Sequence, residues 1–250
     1  MTISVAVSGA TGRLGEFVCR VVEDHPDFEL TARLTSASAA SDGADASVLF
    51  DVTHPDVSPA IVERAIRRGQ RVIVGTSGWS AERLEGLRAV LEEAPDAAVL
   101  VVPNFSLGSV LGTMLSTIAA RHFDSIEIVE AHHAGKIDSP SGTAVRTAEL
   151  IAQARIGRAT EAPFADQAAR GLLVAGVPVH SLRMQGVIAR QEVRFGGEGE
   201  ELTITHVTHS SDSYRAGIKA ALEAVSGVEG LVVGLEHVLG LTDTFGTARA

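Results

Sequence analysis

At 250 residues, 45% of them apolar, the chain has the length for one large or two modest globular domains and the material for a substantial core. A net charge of −10 without a basic stripe excludes nucleic acid as an expected partner, and apolar runs such as AAVLVV at 97–102 are too short for a transmembrane helix. The single cysteine, Cys19, excludes an intrachain disulfide, and MTISVAVSGATG lacks the pattern of a signal peptide, so a cytoplasmic protein is expected.

The first hundred residues alternate between short β-branched runs and helical periodicity. The runs are ISVAVS (3–8), FELTARL (28–34), SVLFDV (47–52), RVIVGT (71–76) and AVLVVP (98–103), and residues 57–68 and 81–91 carry apolar side chains at helical spacing. Such alternation predicts a parallel sheet covered by helices, an α/β fold. GATGRLG sets Gly9, Gly12 and Gly15 between the first strand and a helical pattern, where glycines permit a tight turn and close approach of a pyrophosphate. The spacing is GxxGxxG, and three glycines can equally mark only a turn and a close helix contact. No carboxylate stands at Thr35, Ser36 or Ser38, where an NAD-selective fold places one. Hydroxyls there, with Arg13 or Arg33, favour a 2′-phosphate and hence NADPH, while Asp42 keeps NADH open. The loops DVTHP (51–55) and GTSG (75–78) fall at strand ends, as ligand sites or as plain turns with helix caps.

After residue 104 the pattern changes. A helix over 107–121 is followed by strand IEIVEA (126–131), the segment EAHHAGKIDSPSGTA (130–144) and a helix over 143–154. A loop-like stretch then leads to three strand-like runs, VPVHSLRM (177–184), VIARQEVRF (187–195) and EELTITHV (200–207), which predict an antiparallel or mixed sheet. The tail from Tyr214 returns to helical periodicity. Of 21 basic residues only Lys136 and Lys219 are lysine. Lys219 lies in an amphipathic helical pattern, whereas Lys136 sits between His132-His133 and the turn Ser141-Gly142-Thr143. A compact cation, two imidazoles and the free N–H groups of a helix start make a cradle for a small dicarboxylate with acid–base capacity. Paired histidines as metal ligands, as plain surface residues, and Ser141 as a mere N-cap compete with that reading.

The segment E-x-H-H-x-x-K-x-D-S-P-S-G-T-A resembles the signature of the 4-hydroxy-tetrahydrodipicolinate reductase (dihydrodipicolinate reductase) family of lysine biosynthesis through diaminopimelate. The likeness extends over nearly the whole chain, through GATGRLG, DVTHP, GTSGW, VPNFSLG, VPVHSLRMQG and FGGEGEELTITH. It implies a Rossmann-like dinucleotide-binding domain of residues 1–103 plus 217–250, and an α+β substrate-binding and oligomerisation domain of residues 104–216. It also implies a homotetramer, a reduced nicotinamide cofactor and a small dicarboxylate substrate; the residues themselves favour NADPH over NADH and no metal, and neither nucleic acid nor membrane is expected as a partner. By resemblance His132 is the acid–base residue and Lys136 the proton donor. His133, Lys136, Ser141, Gly142 and Thr143 would hold the substrate carboxylates. Gly9, Thr11, Gly12, Arg13, Leu14, Gly15 and Thr35 would hold the cofactor's phosphates and adenosine end. Thr53, Gly75, Thr76, Ser77 and the turn Pro103, Asn104, Phe105, Ser106 would flank the nicotinamide.

Two departures stand out. TSAS replaces the acidic residue common after the second strand, and Ser211 replaces an arginine found five residues after the histidine of ITH, with Arg215 as a nearby substitute. Rival readings fit less well. An aspartate-semialdehyde dehydrogenase needs a catalytic cysteine, but Cys19 lies in the first helix, and the five-residue interval from Tyr214 to Lys219 misses the Tyr-x-x-x-Lys of short-chain dehydrogenases. A non-catalytic NADPH-binding sensor on the same fold is the alternative from another class.

Overall fold

The computed structural model describes residues 2–244, which fall into two compact units, residues 2–105 with Tyr214–Gly240 and Ser106–Ser213 with the short helix at Leu241–Thr244. The first unit contains β1 (Ile3–Ser8), α1 (Arg13–Glu23), β2 (Phe28–Leu34), β3 (Val48–Asp51), α2 (Ser58–Arg67), β4 (Arg71–Val74), α3 (Ala81–Glu92) and β5 (Ala98–Val101). The second contains α4 (Leu107–Ala119), β6 (Ser125–His133), α5 (Gly142–Ala154), β7 (Leu172–Val174), β8 (Val177–Met184), β9 (Ala189–Gly197) and β10 (Glu200–Thr208). The chain then returns to the first unit with α6 (Arg215–Val225), β11 (Gly230–Val233) and α7 (Leu235–Val238).

Strands β3 and β5 are buried at every position, which is why they read as continuous apolar runs: a parallel strand covered on both faces has no solvent side to alternate toward. The six strands are all parallel, in the order β11-β5-β4-β3-β1-β2. The chain order reverses at β1, whose neighbours are β2 on one side and β3 on the other, and such a reversal opens a crevice at the carboxyl ends of the strands. Helix α1 buries Phe17, Val18, Val21 and Val22, each worth about 1.5–3 kcal/mol of transfer free energy.

The second unit's sheet is mixed, in the order β10-β9-β6-β8-β7, with β6 and β8 parallel and the other pairs antiparallel. Its inner face packs Ile126, Ile128, Val179, Val193 and Phe195 against Ala144, Ala148 and Ile151 of α5. Arg155, buried at the end of α5, donates to the carbonyls of Ala120 and Ala159 at 2.6 and 2.8 Å and so closes the far end of this layer.

Three local expectations change. The first unit extends to Phe105 rather than ending at Pro103, because the Phe105 ring packs on Phe50 at a centroid distance of 5.6 Å. The tail is not purely helical: GLVV forms β11 and adds a sixth strand beside β5, and four residues are too few to show a period. For the same reason β7, three residues long, is absent from the sequence pattern. Residues 245–250 lie outside the described chain.

Two helical glycines have opposite demands. A Cβ at Gly15 would fall 2.0 Å from the carbonyl oxygen of Gly9, while one at Gly86 of α3 would meet nothing within 4 Å. We expect Gly15→Ala to lose roughly 1–3 kcal/mol through overpacking. Gly86→Ala should gain about 0.5–1 kcal/mol from helix propensity, both changes being read by urea unfolding.

Candidate active site

In the first unit the residues singled out from sequence gather at the carboxyl ends of parallel strands. Gly9 to Gly15 follow β1, Thr35 follows β2, Thr53 follows β3, Gly75, Thr76 and Ser77 follow β4, and Pro103, Asn104 and Phe105 follow β5. The loop after β1 is held from both sides. The amides of Gly9 and Ala10 donate to Leu34 O at the end of β2, at 3.0 and 3.1 Å. Gly9 itself takes φ +84° and passes so close to β3 that a Cβ would lie 2.5 Å from Val52 O. Gly9 and Gly15 are therefore glycine for reasons internal to the fold.

Gly12 differs. It has an extended backbone at φ −76°, is exposed, and a Cβ there would meet only Gly9 O at 3.3 Å. It is also the N-cap of α1 with no side chain to accept the helix's first amides, whereas Ser80, Ser106 and Ser141 cap α3, α4 and α5 with their hydroxyls. The amides of Arg13 and Leu14 open α1 at the reversal in strand order, a donor set with the dipole that a pyrophosphate requires. The residues present fit a dinucleotide.

The loops after β3 and β4 are fastened by Asp51, a carboxylate with no solvent exposure. Its oxygens accept from Thr53 Oγ1 at 2.6 Å, from Thr76 Oγ1 at 2.7 Å and from the Ser58 hydroxyl at the start of α2, and Thr76 Oγ1 in turn accepts from Thr53 N at 2.8 Å. The hydroxyls of Thr53 and Thr76 are thus spent inside the protein, leaving the exposed Ser77 and the backbone of these loops to face a ligand.

The turn after β2 is likewise self-contained: Thr35 N donates to Ser38 Oγ at 2.9 Å, and Asp42 accepts from Ala39 N at 2.8 Å. Arg33 pairs with Glu23 at 2.7 Å, and Arg13 makes no ion pair with the other described residues. Arg215, the nearby substitute for the arginine replaced by the exposed Ser211, pairs with Asp24 at 3.0 Å and lies over the Phe17 ring.

In the second unit, β6 carries the histidine pair as its last two residues. The two-residue period of a strand sends them to opposite faces: His132 sits on the inner face with Ile128 and Glu130, and His133 on the outer face, exposed. His132 Nδ1 lies 2.6 Å from Oε2 of Glu130, which has no solvent exposure. Arg183 of β8, paired in register with His132, donates to both oxygens of Glu130 at 3.0 and 2.9 Å and to Asp138 O at 2.6 Å. Ser141 N donates to Glu130 Oε1 at 3.3 Å while Ser141 Oγ accepts from Ala144 N, so the start of α5 is tied to the same carboxylate. Lys136 turns back on its own loop, Nζ lying 2.8 Å from Asp138 Oδ1. The strand end thus brings together His132, Lys136, Ser141, Gly142 and Thr143. Ser106 belongs to this unit rather than to the first, capping α4 and lying 3.2 Å from His206 Nε2.

Burial works to raise the Glu130 carboxyl, but hydrogen bonds from Arg183, Ser181 and His132 outweigh it and hold the group below the usual glutamate range. Burial pushes His132 down, and the nearby charges of Lys136 and Arg183 act the same way, against the raising influence of Glu130. The ring is therefore neutral near pH 7, donating Nδ1–H to Glu130 and keeping a lone pair on Nε2.

Glu130, Arg183 and Asp51 were not among the residues chosen from sequence. Glu130 was legible, since a carboxylate two residues before a histidine shares its strand face; Arg183 depends on the register of β6 with β8, which no local pattern reveals.

Comparison with known proteins agrees over the whole length. The family model described as "Dihydrodipicolinate reductase, N-terminus" matches residues 3–105 and the one described as "Dihydrodipicolinate reductase, C-terminus" matches residues 108–239. A 4-hydroxy-tetrahydrodipicolinate reductase of Clavibacter michiganensis is 53% identical over 96% of this chain and 87% of its own, and one of Streptomyces coelicolor is 44% identical over 96% and 98%. The solved structure of a dipicolinate-bound dihydrodipicolinate reductase from Paenisporosarcina sp. TG-14 superposes with a TM-score of 0.81 at 29% identity, covering 95% of this chain and 99% of that one. With both of its units matched in order and relatives aligned almost end to end, the chain belongs to the dihydrodipicolinate reductase family.

Proposed function

We propose that the protein reduces 4-hydroxy-2,3,4,5-tetrahydrodipicolinate to tetrahydrodipicolinate with loss of water, using a reduced nicotinamide dinucleotide, in the lysine pathway through diaminopimelate. Family membership supports the reaction, and the observation that carries the site is the Glu130–His132 pair beside Lys136 and the N-terminus of α5. The bound cofactor supplies a hydride to C4 of the ring. His133, Lys136 and the start of α5 at Ser141, Gly142 and Thr143 bind the two carboxylates, which complement a positive side chain and a helix dipole. The neutral His132 takes a proton from C5, next to the imine carbon C6, while the Lys136 ammonium gives one to the departing 4-hydroxyl. C5 would recover its proton from His132 after reduction at C4, and Lys136 is reprotonated from solvent. One hydride and one proton enter, and one water leaves.

The first unit binds the dinucleotide through Gly9, Thr11, Gly12, Arg13, Leu14 and Gly15 at the pyrophosphate, with Thr35 toward the adenosine end. Thr53, Gly75, Thr76, Ser77, Pro103, Asn104, Phe105 and Ser106 belong to the nicotinamide side, Thr53 and Thr76 through loop backbone. NADPH is the preferred cofactor in this reading, because Asp42 is committed to its own loop and Arg13 stands at the start of α1 without an ion pair. Assembly as a homotetramer is supported by the outer face of the second sheet, where Leu182 and Met184 are 46% and 50% exposed. Dependence on reduced nicotinamide and the one buried cysteine suit the cytoplasm.

The decisive experiment supplies substrate from pyruvate and aspartate semialdehyde through the preceding synthase and follows nicotinamide oxidation with NADPH and NADH in parallel. Synthase-dependent oxidation, faster with NADPH, is expected; cofactor binding without oxidation would favour a sensor. Lys136→Arg keeps the positive charge but cannot release a proton, so kcat should fall on the order of 100-fold while KM changes far less. An unchanged kcat would remove Lys136 from the donor role. Because His132 acts unprotonated and its pKa is depressed, activity should persist above the ordinary imidazole value of ~6.5 and fall only at lower pH. A loss of activity on raising the pH through neutrality would contradict that assignment.

A further inference from the structure

The inner face of the second sheet holds a carboxylate–guanidinium pair whose carboxylate is fully buried and whose guanidinium is mostly so. The Glu130 side chain has no solvent exposure, yet its two oxygens collect the His132 ring, the Arg183 fork and the first amide of the α5 cap. Arg183 in turn holds the backbone of the loop that carries Lys136, through Asp138 O at 2.6 Å, and its buried Nε has no hydrogen-bond partner among the described residues. A pair built for stability alone has no reason to join an imidazole, a loop and a helix start, and replacing a buried ion pair by apolar side chains is often neutral or stabilising.

We infer that Glu130 and Arg183 form a positioning pair that sets the His132 tautomer and the reach of Lys136. The inference rests on the proposed roles of those two residues. Glu130 accepts only at Nδ1–H, so the ring is held in the tautomer whose Nε2 lone pair is available. The charged groups facing the ring are Glu130 on β6, Lys136 on the following loop and Arg183 on β8, while β9 contributes Ala189. Neutralising Glu130 removes the one anion among them.

Two variants test this. Glu130→Gln should lose on the order of 100-fold in kcat with cofactor affinity intact. The acid limb of its pH profile should move to lower pH, since the group that favours imidazolium is gone. Leaving Arg183 buried and unpaired endangers folding, so Glu130→Gln combined with Arg183→Met is made as well. The double variant should unfold near the wild-type temperature and still have low kcat. Nitrogen NMR of the histidine ring in the wild type should show Nδ1 protonated and Nε2 bare, and a mixture of tautomers in the double variant. A folded double variant with wild-type kcat, or with the wild-type tautomer, would overturn the positioning role. Failure of the proposed reaction is read separately, as a wild type that does not oxidise cofactor in the coupled assay while its His132 tautomer is still fixed.

Discussion

Carboxylates taken wholly out of water must be satisfied on both oxygens or remain protonated, and Glu130 is the place where that constraint organises the second unit. An ion of this size loses several kcal/mol of solvation on burial, and the loss is offset only by close, correctly directed donors. Arg183 supplies two, His132 one, the Ser141 amide one, and Ser181 adds another. The donors arrive on three pieces of chain: the neighbouring strand β8, the end of β6 itself and the start of α5. Meeting the electrostatic demand of one side chain therefore brings the strand end, the 134–140 loop and a helix N-terminus into register around His132.

The first unit meets a comparable demand differently. Asp51 pairs with no cation among the described residues and is satisfied by the hydroxyls of Thr53, Ser58 and Thr76, each at the start of a loop or helix after a parallel strand. Hydroxyls are short and their donors are directed by the backbone they hang from, so this arrangement ties the two loops together. The amides at the start of α1 are open to an anion, since Gly12 supplies neither a capping oxygen nor bulk. In a chain of net charge −10 such backbone dipoles would make the proposed phosphate site compatible with the overall field.

The chemistry at His132 follows from a balance between burial and its neighbours. Desolvation and two cations favour the neutral ring, and the Glu130 hydrogen bond opposes them without reversing the outcome. The same hydrogen bond chooses which nitrogen carries the remaining proton. Protonation state and tautomer, the two properties an acid–base residue needs, are thus decided by separate features of one environment.

Much of this was legible along the chain. Alternation of short apolar strands with helical periodicity identified a parallel sheet covered by helices, GATGRLG marked the candidate dinucleotide loop, and the rarity of lysine marked Lys136. These signals are local, because periodicity, turn chemistry and residue type act over a few neighbours. The short strands β7 and β11, the commitment of Arg215 to Asp24, and the pairing of Arg183 with Glu130 were decided only by tertiary structure. Glu130 and Arg183 lie 53 positions apart and meet because β6 and β8 run parallel in one register. Sequence by itself determined the family and the fold class and named the candidate reacting side chains; which groups hold those side chains, and in which protonation state, depends on contacts between strands that no spacing along the chain encodes.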